Sequence, residues 1–395
     1  MKNKSAKAFL TVLILLLLFS IPVFPEAPVL LPTSLSIPEA SQIPKFVTVA
    51  LLVNVPSMSL VTEGAYELRN KDGSELFLQG VGPFRASIRP QKGGIEINHQ
   101  VFNSKHLILN VPNGSIQIGN RRYSHQIQIF KSSEKKLTIT NHIDLEEYLK
   151  GVLPLEAHPD WPMEALKAHA VVTRTFALFK SLEKQNLNFS LHDTVQSQVY
   201  GGTLFHKKTT DQAVEATRGE ILTSRGNIFP AYMHASCGGH TAQADFIWPV
   251  RPNPVLKGVV CPFCKGMKHW KWTLKMSLTE IEIIMQKKGF PAKKLRNIVF
   301  VNRDPSGRAT KVMLEYESSK VAISGDDFRA FLGYNRLRSL KVNVEIKEGH
   351  AYFQGFGWGH GIGFCQWGAK HQAELGKTYR QILAFYFPGS EIKKV

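Results

Sequence analysis

Three groups of residues carry side chains and spacings that suit chemistry. The first is a carboxylate, Glu156, in the run Val152-Leu153-Pro154-Leu155-Glu156, with Leu153, Leu155 and Trp161 close to it in sequence. Apolar company disfavours the charged form, so its pKa should rise toward a range useful for proton donation. The plain alternative is a surface glutamate on a loop. The second group is thiol and imidazole: Cys261-Pro-Phe-Cys264 is a CxxC knuckle, and His234-Ala-Ser-Cys237 lies upstream. His234, Cys237, Cys261 and Cys264 suit a tetrahedral zinc with no open position, hence a structural ion. His240 or His269 could replace His234, and a Cys261–Cys264 disulfide or redox pair, or free thiols, stay open. The third group lies in Phe353 to Ala369, where glycines alternate from Gly355 to Gly363 and His360 and Gln366 are candidates to hold a substrate or the glutamate. A packed histidine bridging strands is the alternative for His360. This is no phosphate-binding loop, since neither the strand–GxGxxG–helix spacing nor a following Lys-Ser/Thr is present. Cys365, in the same run, reads as a small buried hydrophobe.

Elements must hold these groups in place. Asp144 is a good N-cap, with Glu147 three residues on to complete a capping box, and Gly151 reads as the helix stop. Pro154 should push Leu153 into an extended conformation, leaving Glu156 on an elbow. Asp160 as cap and Pro162 in the first turn then open a long helix with Leu166, Ala170, Thr173 and Ala177 along one stripe. Upstream, residues 45–140 are short β-branched runs between Gly, Asn, Pro and Ser turns, with hairpins expected at Val111-Pro112-Asn113-Gly114 and at Asn120-Arg121-Arg122-Tyr123. Downstream, residues 270–350 read as a second α/β portion of little chemical character, packed under the site. It should hold a helix from Leu278, a hairpin across Asp304–Gly307 and a capped helix from Ser324. The whole reads as an α+β fold: a β-rich N-terminal part, then a mixed α/β part ending in the Gly-rich run.

Composition sets the outer bounds. The chain has 395 residues, 43% hydrophobic and 20% charged, as globular proteins do, and a net charge of +18. Such charge suits polyanionic surroundings. A nucleic-acid partner is not expected, because no recognised binding module is present and the lysines are dispersed in pairs. Lys2, Lys4 and Lys7 precede an apolar run from Ala8 to Phe24, the layout of a signal peptide (residues 1–25) or, if uncleaved, an N-terminal anchor. A Pro-rich linker over 26–44 follows. The expected location is therefore extracytoplasmic, with membrane contact only through this first segment.

The stretch from Asp144 to Lys180 resembles the SpoIID/LytB family, whose pattern is roughly EDYLxGVxxxEM followed by EALKAQAVAARTYA. The match runs through Glu147, Tyr148, Leu149, Gly151, Val152 and Glu156, then Glu164 to Lys167, Ala170, Val171, Arg174 and Thr175. His169 stands where Gln is usual, and Ala157-His158 where Met is common. Asp193 to Gly202 is similar to an Asp-x-x-x-x-Gln-x-Tyr-x-Gly element, and Ser236 to Thr241 with Trp248 to an S-x-G-G-x-T element. The Gly-rich run resembles GxGWGHGxGMSQWGA, with Phe364 for Met and Cys365 for Ser. The likeness covers roughly Val47 to Ile392, so 141–395 reads as the catalytic region and 45–395 as one unit. It implies an extracytoplasmic lytic transglycosylase acting on peptidoglycan strands stripped of stem peptides, with Glu156 as acid and base. Lys167, Arg174, Tyr200, His360 and Gln366 are then substrate-side supports, Tyr200 by stacking on a pyranose. The resemblance also implies a zinc, since some members look to carry one in this region on His and Cys, with a second half of the ligand spacing that differs from this chain; LytB-type members imply another role, a non-catalytic module that binds wall glycan or stimulates a cell-wall amidase.

Overall fold

The computed structural model describes residues 30–39, 42–185, 187–290 and 294–395; the signal or anchor segment expected at 1–25 lies outside them. The architecture is α+β, with the β-rich part first, as the sequence indicates. Strands between Phe46 and Asp144, joined by Leu191–His192, make one eleven-stranded sheet. Its central members pair antiparallel: Phe46–Val55 with Lys136–Asp144, then Arg121–Ser133, then His106–Ile118. Alternation does the folding here. In Met58–Glu63 the inward residues Met58, Leu60 and Thr62 are buried while their neighbours face out. The hairpin expected near Asn120 forms between His106–Ile118 and Arg121–Ser133. The one expected at Val111–Gly114 does not. That stretch lies inside a single long strand, whose register shifts opposite Tyr123 and His125. Gly114 packs so closely on the Glu63 carbonyl of the paired strand that a Cβ would fall 1.8 Å from it, so the glycine serves a close approach of backbones rather than a turn.

Among the described residues eight α-helices follow: α1 Leu145–Glu156, α2 Met163–Glu183, α3 Lys208–Ala216, α4 Ala244–Ile247, α5 Leu278–Gln286, α6 Gly325–Leu332, α7 Gln366–Glu374 and α8 Tyr379–Tyr386. Two expectations fail at α1. Asp144 does cap it, accepting from the Glu146 and Glu147 amides, but Glu147 turns to Lys150 at 2.6 Å instead of closing a box. The helix also runs through Gly151 and Pro154 to Glu156. Tertiary packing overrides the local breakers: Val152 and Leu153 are fully buried, and Gly151 has no side chain because the Tyr200 ring lies where one would go. Glu156 therefore ends a helix rather than sitting on an elbow. Asp160 is likewise no cap, since α2 starts after Pro162 without a side-chain cap and the Asp160 side chain is exposed.

α2 is buried on nearly every side. Leu166, Ala170, Phe176 and Ala177 join the core under the large sheet. Ala168, Val171 and Val172 join a second core holding the cysteines and α8. Apolar residues on two faces are what a position between two cores requires. A third core belongs to residues 272–353: strands Lys271–Ser277, Val342–Lys347 and His350–Phe356 make one sheet, Leu295–Arg303, Ala309–Tyr316 and Ser319–Ser324 another, with α5 and α6 against them. The hairpin across Asp304–Gly307 and the Ser324 cap stand as expected. Part of the expected linker is bound down. Leu31 bridges Val250, Asn253 donates to the Thr33 carbonyl at 2.7 Å, and Leu35–Ser36 pairs with Asn227–Ile228.

Candidate active site and cysteine centre

Glu156 lies at the floor of a cleft of about 1020 Å³ between the helical body and the 271–356 subdomain. Two groups grip its carboxylate. The Val199 backbone N–H donates to Oε1 at 3.0 Å, and the Gln366 amide donates to Oε2 at 3.2 Å. Burial pushes the Glu156 pKa up, and these two donors, which favour the charged form, only temper it. Beneath it Tyr148 donates to Gln198 at 3.1 Å, and Gln198 donates to the Thr173 carbonyl, so the loop carrying Val199 is pinned to α1 and α2. The carboxyl is thus fixed in direction and inclined to hold a proton.

Aromatic rings line the cleft. Trp161 meets Trp367 edge to face with centroids 5.2 Å apart, Trp248 packs on Tyr232 at 5.0 Å and on His360 at 4.9 Å, and Trp358 stands against His269 at 4.5 Å. Flat apolar faces with polar edges are what sugar rings pack on. The subdomain is not merely underneath. Asp326, Arg329 and residues 333–336 form part of the cleft wall. Asp326 accepts the Trp248 indole N–H at 3.3 Å, and Arg329 covers the Tyr334 ring at 4.6 Å.

The proposed support residues are scattered. Gln366 touches Glu156, and His360 lines the same cleft. His360 donates from Nε2 to the Met233 carbonyl at 2.8 Å while its Nδ1 accepts the Ile362 N–H, and burial lowers its pKa to about 3. It is a neutral tie between strands. Tyr200 is fully buried and donates to Asn141 at 2.8 Å, so no sugar reaches its ring. Arg174 is fully buried in a bidentate pair with Glu146, at 2.8 and 2.7 Å, which makes it a brace between α2 and α1. Lys167 pairs with Glu164 at 2.8 Å, away from the cleft lining.

The metal-ligand expectation is corrected in one position. The sulfurs of Cys237, Cys261, Cys264 and Cys365 all lie buried within 4.8 Å of one another, and His234 is not among them. His234 instead faces the Ile362 carbonyl through Nδ1, at 3.0 Å. Pairing of Met233–His234 with Phe364–Cys365 brings Cys365 in, so it is more than a small apolar residue. Its signal was available: the sequence holds four cysteines, the number a closed zinc site takes. The donor set fits such an ion, whose ligand sulfurs would stand roughly 3.8 Å apart at tetrahedral geometry. The surroundings suit thiolates too. The Cys237 N–H points at Cys365 Sγ at 3.3 Å, and the Tyr386 hydroxyl lies 3.3 Å from Cys261 Sγ. Val199 and the tryptophan walls were not identified from sequence, because a backbone donor and a cleft partner carry no spacing signal.

Known proteins share this layout in sequence. Residues 133–224, which carry α1, Glu156 and α2, match the SpoIID model, described as stage II sporulation protein, and residues 263–363 match a domain of unknown function, DUF8618. Stage II sporulation protein D of Bacillus subtilis (strain 168) is 28% identical over 292 residues, 68% of this chain and 79% of that protein. The chain belongs to the SpoIID/LytB family. An uncharacterized protein of Brachyspira hyodysenteriae is 34% identical over 301 residues, 76% of this chain and 79% of its own. The amidase enhancer of B. subtilis is 26% identical over 297 residues, 62% of this chain but 40% of that longer protein. Membership carries a cell-wall-related role. Among the described residues no helix is long and apolar enough to cross a membrane.

Proposed function

We propose that this chain is an exported peptidoglycan lytic transglycosylase that cuts glycan strands stripped of stem peptides. The observation that carries the reading is the single gripped carboxylate, Glu156, with its pKa raised by burial, on the floor of an aromatic-walled cleft. One carboxylic acid suffices for this reaction. Protonated Glu156 gives its proton to the glycosidic oxygen, and the bond to the anomeric carbon breaks. The resulting carboxylate then takes the proton of the sugar's own C6 hydroxyl, whose oxygen closes on the anomeric carbon as a 1,6-anhydro ring. Retaining hydrolases instead place a second carboxylate as nucleophile. The other acid of the cleft lining, Asp326, is engaged by Trp248. A structural zinc on Cys237, Cys261, Cys264 and Cys365 would lock the strand leading into Gln366, and so the grip on Glu156.

Mass spectrometry of peptide-free glycan strands digested by wild type and Glu156→Gln tests the reading. Anhydro-ended fragments from wild type alone support it, and reducing ends would make the enzyme a hydrolase. The likeness to an amidase enhancer favours one other role, a wall-binding or amidase-stimulating module. That role predicts glycan binding without cleavage by either protein.

A further inference from the structure

Arg174 and Arg308 are both fully buried, yet only one of them has a carboxylate against its guanidinium. Arg308 donates through Nη1 to the His240 carbonyl at 2.9 Å and to Ser306 Oγ at 2.8 Å, and through Nη2 to the Cys237 carbonyl at 2.7 Å. Its Nε finds no partner among the described residues. Asp304 is the nearest acid by connection, but its Oδ1 accepts from Ser306 and from the Arg308 backbone, and it reaches the guanidinium only through Ser306. A second cation joins from the same subdomain: Lys341 Nζ donates to the Gly238 carbonyl at 2.8 Å. Both cations are thus aimed at one short turn, Cys237 to His240, that begins with a ligand-type sulfur. The Gly-rich run makes room for this. A Cβ on Gly361 would fall 2.2 Å from Arg308 Cζ.

Asp304, buried with its Oδ2 unpartnered among the described residues, is one acid against two cations, and the charge it leaves uncompensated is costly in a buried setting, by several kcal/mol even after relaxation. A divalent ion on four thiolates carries two net negative charges, since each cysteine binds as thiolate. We propose that Arg308 and Lys341 are the counter-charges of the metal-loaded four-cysteine centre, and that metal loading therefore seats the 271–356 subdomain on the body. The inference rests on the structural-metal reading. Metal affinity and subdomain docking are then linked, and each must report on the other.

The test uses the full chain loaded with cobalt(II), whose visible absorption reports thiolate ligation, in competition with a chromogenic chelator. Arg308→Met and Lys341→Met should each release cobalt more readily, with an affinity loss of about tenfold for the first and less for the second. Arg308→Lys should regain most of the loss. Leu314→Ala, which thins the same subdomain's core without touching charge, should keep wild-type affinity. In wild type, chelation should raise amide exchange across residues 304–312 and 338–342. Equal affinity in wild type and both Met variants overturns the counter-charge role while leaving the metal reading intact. So does a loss in Leu314→Ala as large as in Arg308→Met. Absence of any thiolate–cobalt absorption in wild type removes the metal reading, and this inference with it.

Discussion

Gln366 reaches across 210 positions of sequence to hold Glu156, its amide 3.2 Å from Oε2. The contact joins the last turn of α1 to the first residue of α7, and the preceding residue, Cys365, belongs to the sulfur cluster. Acid, acid-holder and cysteine centre are one mechanical unit.

Removing the holder should act on both the pKa and the direction of the acid. The Gln366 amide favours the carboxylate, so Gln366→Ala should raise the Glu156 pKa further. Cleavage that needs a protonated Glu156 falls off as pH rises through that pKa. The falling limb of the rate–pH profile should therefore move to higher pH, while the maximal rate drops about tenfold through lost orientation. An unmoved limb would detach Gln366 from the acid.

The raised pKa of Glu156 also has a stability consequence. Between the ordinary carboxylate value and the raised one, the folded chain binds more protons than the unfolded chain. Stability contributed by this group is thus lost as pH rises through that window. Glu156→Gln should melt higher than wild type at pH 7, and the gap should close below about pH 4. Calorimetry at the two pH values decides it; a variant less stable at neutral pH would count against a burial-driven shift.

Arg174 should prove a fold residue. Arg174→Met leaves Glu146 charged and buried beside α2, at a cost of roughly 3–5 kcal/mol. Denaturant titration should show that loss, and the double variant Glu146→Gln/Arg174→Met should recover part of it.

The sulfur centre predicts different behaviour from its two neighbours in sequence pairing. Cys365→Ser should change the cobalt absorption from a four-sulfur to a three-sulfur pattern, while His234→Ala leaves the four-sulfur pattern in place. The reverse outcome would restore His234 as a ligand.

If one carboxylate runs the reaction, Asp326→Asn should retain cleavage within about tenfold and the same anhydro product. Loss on the scale of Glu156→Gln would indicate a two-acid mechanism.

Periodic and dense signals were legible. The β-branched runs of residues 45–140 gave strands, as at Phe84–Gln91, Ser324 gave a cap, and the apolar setting of Glu156 anticipated its raised pKa. The failures share one cause, local rules overridden by distant packing. Pro154 and Gly151 look like breakers until Tyr200 and the buried Val152 and Leu153 hold them in helix. Pro112 to Gly114 look like a turn until the strand ending at Glu63 pairs alongside them. Tyr200 and Arg174 have the chemistry of binding groups, and only their burial tells that they are bracing ones. The cysteine count pointed to Cys365, but its place beside the other three comes from a strand pairing, Met233–His234 with Phe364–Cys365, that spacing along the chain does not encode.

The clamp at Leu31, Thr33 and Leu35–Ser36 sets a geometric limit on the molecule. Residues 31–36 are stitched to Asn227, Ile228, Val250 and Asn253, on the segment that also carries Trp248 of the cleft wall. Leu31 is therefore a fixed point on the body that carries the cleft. A tether there would restrict which strands of a surrounding mesh the cleft could face, making reach and orientation properties of the fold itself.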